Sequence, residues 1–117
     1  KRFAIMKLTP ELKRKAFLQL LKNEHIPPPK LEHVFCTERK FAADYYWDCN
    51  GIKLMLELQG GVDGVKISGH TSILGMKRDR EKLNLASSHH IFTMQVSYRE
   101  LTLPLTIKQI KQILKLN

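Results

Sequence analysis

At 117 residues the chain is the size of one domain, long enough to bury a core and too short to build two. No run approaches the ~20 apolar residues of a membrane span and no secretory signal opens the sequence, so the expected setting is cytoplasmic, away from membranes. Twenty Lys and Arg against eleven Asp and Glu give a formal charge of +9, which points to a polyanionic partner, most simply nucleic acid held through its phosphates; the alternative is a basic protein with no such partner.

Thr9-Pro10-Glu11 reads as a helix start, with Thr as the cap, Pro at the first helical position and Glu in the first turn. Leu12, Ala16 and Leu20, with Phe17 and Leu21, then recur at helical spacing to about Glu24. Ile26-Pro27-Pro28-Pro29 must be an extended connector, because consecutive prolines offer no backbone donors. LEHVFCTE follows as a strand, and Arg39-Lys40 turn the chain into FAADYYWD. Asn50-Gly51 is the dipeptide of the two-residue type I′ turn, since both residues tolerate positive φ, and IKLMLELQ returns as the next strand. Cys36 and Cys49 lack metal-ligand spacing and are expected to stay reduced. Five glycines between Gly60 and Gly75 suggest a mobile loop beside a site. MKRDREKLNLASSHH reads as a helix, IFTMQV as a strand, and 106–116 as a terminal helix with Ile107, Ile110, Ile113 and Leu114 on one stripe. The order is α-β-β-β-α-β-α, in an α/β domain.

The two-residue turn sets a register. Cys49 then faces Ile52, and Trp47, Tyr45 and Ala43 face Leu54, Leu56 and Leu58 on an apolar side. On the other side Asp48 meets Lys53, Tyr46 meets Met55, and Asp44 meets Glu57. Like charges directly opposite each other destabilise a sheet by a few tenths of a kcal/mol up to ~1 kcal/mol. A cation between them removes that cost, and Mg²⁺ takes one or two carboxylates together with waters and substrate phosphates. A different register, or two solvated surface acids, is the alternative.

EHVF at a strand start, RKFAADYYW, ELQGG, the GH of the glycine-rich loop and KRDREKLN on the following helix stand in a telling order. Over Leu31 to Leu101 the chain resembles the PD-(D/E)XK nuclease superfamily, and within it the small phage-type nucleases akin to very-short-patch repair enzymes. The resemblance implies a restriction-endonuclease-like αβββαβ core: a mixed four-stranded sheet flanked by helices, here with an extra C-terminal helix. It also implies a Mg²⁺- or Mn²⁺-dependent endonuclease, with Asp44, Glu57 and the Leu58 carbonyl as metal ligands and Gln59 placing the attacking water. Two positions depart from the family pattern. Ala43 replaces the usual Pro, and Gln59 replaces the usual Lys. An amide orients water or contacts phosphate but brings no charge and takes no proton, so water activation falls more heavily on the metal.

Other candidates surround these. Glu32 would add an acid from the first strand, or is a surface strand-start residue. His70 would bind phosphate or shuttle a proton, or is a solvated loop residue. Lys82 would supply the charge missing at Gln59, or is an ordinary i, i+3 partner of Asp79. His89-His90 are read as capping the helix end rather than as ligands. Lys66, Lys77, Arg78, Arg39 and Lys40 are expected to grip the nucleic-acid backbone. The expected substrate is DNA, whether nicked, mismatched or branched as in a Holliday junction; RNA and a homodimer stay open. A catalytically silent, nuclease-like DNA-binding module is the alternative function.

Overall fold

The computed structural model describes residues 9–59 and 73–117. Helix α1 (Pro10–Asn23) starts as its sequence dictates: the Thr9 hydroxyl accepts from the Leu12 N–H at 3.2 Å, and Pro10 occupies a position whose N–H has no intrahelical acceptor. Its buried stripe is narrower than the apolar spacing suggests. Phe17 and Leu21 are buried while Leu12 remains 42% exposed. His25, at φ +59, turns the chain away from the helix and delivers Ile26 into the core.

The sheet contains β1 (Lys30–Cys36), β2 (Phe41–Cys49), β3 (Ile52–Leu58) and β4 (Ile91–Val96), in that spatial order. The first two pairings are antiparallel, and β4 lies parallel to β3. Parallel pairing requires a crossover, and α2 (Ile73–Ser88) lies within that connection. Helix α3 (Pro104–Leu114) closes the described chain. The protein is therefore α/β, with a mixed four-stranded sheet and three helices among the described residues. No described helix is long and apolar enough to cross a membrane.

The bounds of two helices differ from the sequence-based expectation. α2 begins at Ile73 rather than Met76 and ends at Ser88, because His90 at φ +60 leaves the helical region. α3 begins at Pro104, whose fixed φ suits a first helical turn.

The sheet is covered on both faces. Tyr45, Trp47, Leu54 and Leu56 pack with Phe17 and Leu21 of α1 and Ile107, Ile110 and Leu114 of α3. On the opposite face Tyr46 and Met55 pack with Ala86 of α2 and Ile91. Strict alternation would place Ala43 beside Tyr45, but it joins the second cluster. The period of two thus slips between Ala43 and Tyr45, at Asp44. The Trp47 indole N–H donates to the Pro27 carbonyl at 2.7 Å, tying the proline connector to the sheet. Trp47→Phe removes that donor and leaves a void, so urea denaturation should show a loss of about 1–3 kcal/mol. A loss below about 0.5 kcal/mol would mean that water replaces the indole at Pro27.

Candidate functional site

The β2–β3 ladder runs in the register set by Asn50-Gly51, from Cys49↔Ile52 to Tyr45↔Leu56. One step further lie Asp44 and Glu57, and there the side chains take over from the backbone. The Asp44 N–H donates to Glu57 Oε2 at 2.9 Å, and the Leu58 N–H donates to Asp44 Oδ2 at 2.8 Å. Each carboxylate thus accepts a charge-assisted hydrogen bond from the opposite strand. On the other side of β2, Leu31↔Tyr45 and His33↔Ala43 flank Glu32. Glu32 stands at φ +48, outside the strand region. A peptide rotated in that way cannot continue a regular ladder, and the backbone N–H of Asp44 turns to the Glu57 carboxylate instead.

Glu57 is 9% exposed. Its Oε1 forms an ion pair and hydrogen bond with Lys82 Nζ. Lys82 reaches it because Ala86, four residues on and on the same side of α2, is buried against the sheet; a small residue there lets the helix come close. Burial pushes the Glu57 carboxyl above its ordinary value, and the charge of Asp44 adds to that. The hydrogen bond and charge of Lys82 and the Asp44 N–H pull it back only in part.

Asp44 and Glu32 line a cleft of about 410 Å³ on the α1 side of the sheet, with Arg14, Leu18, Leu31, Tyr45, Leu58 and Tyr98. Arg14 Nη2 donates to the Tyr98 hydroxyl at 2.9 Å, and the guanidinium carbon lies 5.6 Å from the centre of that ring. Arg14 and Tyr98 carry no local signal for this role. Arg14 is one of several basic residues on its helix, and Tyr98 stands 84 positions away. Arg39, Lys77 and Arg78 come together along a second cleft of about 810 Å³, with Arg80, Glu81 and Asn84. Arg39 pairs with Glu81 at 2.8 Å, and both Arg39 and Arg78 lie over the Phe41 ring. Lys40 is exposed in the β1–β2 turn at φ +55. Gln59 follows β3 directly, its N–H donating to the Val96 carbonyl at 2.8 Å. Lys66 and His70 lie outside the described residues.

No group of three or more metal-ligating side chains converges among the described residues. The donor set of Asp44 and Glu57 nevertheless suits a hard divalent cation, which often takes only one or two carboxylates from the protein. Lys82 already holds Glu57 Oε1, so a cation bound at that oxygen would compete with the ammonium.

No protein-family model matches the sequence, and neither a curated protein nor a solved structure shows significant similarity to it.

The raised Glu57 value gives a pH signature. Its folded-state pKa lies above the ordinary 4.5, so the folded protein keeps this proton to higher pH than the unfolded chain does. Between the two values, stability falls as pH rises. Thermal melts of wild type and Glu57→Gln across that range should show the wild type losing ground to the variant with rising pH. A difference that does not change with pH would contradict the raised value.

Proposed function

We propose that the chain is a Mg²⁺-dependent endonuclease that hydrolyses DNA phosphodiester bonds, a nuclease of the PD-(D/E)XK type that its sequence resembles. The observation that carries this reading is the Asp44–Glu57 pair, two carboxylates interlocked at the parting of β2 and β3 with a lysine ammonium in contact. Asp44 and Glu57, helped by the Leu58 carbonyl, would hold the cation, which when bound polarises the phosphate and lowers the pKa of water.

The chain's own residues supply the rest. Gln59, fixed at the end of β3 by its backbone hydrogen bond to Val96, orients the attacking water. Lys82 brings the positive charge that an amide at Gln59 lacks. Once displaced from Glu57 Oε1 it faces the negative charge that develops on the phosphate. Arg39, Lys77 and Arg78, gathered along the outer cleft of α2, hold the nucleic-acid backbone, with Lys40, Lys66 and His70 as further contacts. One observation favours a second reading, a catalytically silent DNA-binding module: the Lys82 ammonium already neutralises Glu57, as it would in a site that takes no metal.

Cleavage of linear, nicked, mismatched and four-way-junction DNA, with Mg²⁺ and with EDTA, separates the two. Asp44→Asn and Glu57→Gln should each slow metal-dependent cleavage by about 100-fold or more, with DNA affinity unchanged or higher because a charge that repels phosphate is gone. Near-wild-type rates in either variant mean that the assigned ligands are wrong. Lys82→Ala should slow single-turnover cleavage more than it weakens binding, and Gln59→Lys should partly restore it. An unchanged rate in Lys82→Ala ends the substitute-lysine role. Binding should also weaken with salt, with a log–log slope of about −0.9 for each duplex phosphate neutralised; a flat response would remove nucleic acid as the partner.

A further inference from the structure

The cleft on the α1 side of Asp44 is built differently from the basic surface of α2. Its ionic lining is mixed, with Arg14 beside the acids Glu32 and Asp44, and its remaining walls include Leu18, Leu31 and Leu58. At about 410 Å³ it has the volume of a small-ligand site. Tyr45 lines it as well. That residue is 2% exposed, and its hydroxyl is buried with no hydrogen-bond partner among the described residues. A buried hydroxyl without a partner bears its desolvation cost uncompensated, and a ligand atom that reached it would offset that cost. A phenol hydroxyl both donates and accepts.

The lining decides what fits. Two carboxylates repel a phosphate, and Arg14 repels a simple cation. A neutral, flat group with hydrogen-bonding edges suits such a lining, which combines leucine side chains and an aromatic ring with a guanidinium, two carboxylates and a phenol. Unstacked nucleobases are recognised in this way, and a net charge of +9 brings nucleic acid to the protein.

We infer that the cleft between α1 and Asp44 receives an unpaired nucleobase of the nucleic-acid substrate. The inference rests on the nucleic-acid part of the proposed function and narrows it. Asp44 belongs both to the cleft and to the carboxylate pair, so the captured base lies next to the reacting phosphate. Paired bases inside a duplex cannot enter without extrusion, which costs a few kcal/mol and least where the base is already unpaired. Bulged, mismatched or single-stranded nucleotides at the cut are therefore preferred over fully paired duplexes, nicks or four-way junctions.

The test uses the full chain in EDTA, so that cleavage does not intervene, and fluorescence anisotropy with three DNAs that differ at one position. One is fully paired, one carries a single bulged cytosine, and one carries an abasic residue in that bulge. The cytosine bulge should bind about tenfold tighter than paired DNA, and the abasic bulge should lose most of that gain. Arg14→Ala, at an exposed position, and Tyr45→Phe, which deletes only the unpartnered hydroxyl, should each shrink the bulge-to-duplex ratio by about threefold or more. Equal affinity for the cytosine and abasic bulges, or an unchanged ratio in both variants, overturns the inference. Metal-dependent cleavage that requires Asp44 and Glu57 but ignores the bulge also overturns it, while leaving the nuclease reading intact. Bulge-selective binding with no metal-dependent cleavage of any DNA does the reverse.

Discussion

Two acids at facing positions of adjacent strands create a problem that a straight β-ladder cannot solve, because their charges repel and the ladder offers them no donors. The chain resolves it by letting the strands part. Asp44 takes the Leu58 N–H, Glu57 takes the Asp44 N–H, and the regular pairing stops at Tyr45↔Leu56. The repulsion is offset by two backbone donors between β2 and β3, one for each carboxylate. The slip of alternation at Asp44, the opening of a cleft on the α1 side and the approach of Lys82 from α2 all meet at this point. Burial raises the Glu57 carboxyl above its ordinary value, and the Lys82 ammonium offsets part of that cost.

The parting also gives the sheet two unlike working faces. Toward α2 the carboxylate pair meets a lysine, and the outer surface of that helix carries arginine and lysine. Toward α1 it meets a pocket of mixed charge with leucine walls. Asp44 belongs to both because the residues on either side of it, Ala43 and Tyr45, pack in different clusters. A strand with unbroken alternation would commit the aspartate to one face only.

Much of this was legible from local chemistry. The Asn50-Gly51 turn admits one tight register, and that register puts Asp44 across from Glu57 as the next step beyond the observed ladder. Thr9 and Pro10 mark the start of α1, and the order of helices and strands follows from periodicity and punctuation. What stayed hidden depends on tertiary contact. Ala43 has no sequence feature that sends it to the α2 face; the slip arises where side chains replace ladder hydrogen bonds. Lys82 could be read as a partner of Asp79 or of the acids, and only the seating of Ala86 against the sheet decides how near the helix comes. The cleft of Arg14, Tyr45 and Tyr98 joins α1, β2 and the segment after β4, an assembly that no window of sequence contains. Residues 60–72 of the glycine-rich stretch, with Lys66 and His70, lie outside the described residues, and Gly75 belongs to α2.

Glu32 adds a cost. At φ +48 a residue with a Cβ sits roughly 1–2 kcal/mol above its relaxed backbone state, and glycine would occupy the same conformation with almost no penalty. The position therefore sets local backbone strain against a carboxylate beside Asp44. The backbone geometry that takes Glu32 out of the β1–β2 ladder and the acid that lines the cleft come from the same residue, so relaxing the first by glycine would delete the second. Stability gained at this point would be taken from the site itself, which makes Glu32 a place where the fold and its chemistry compete directly.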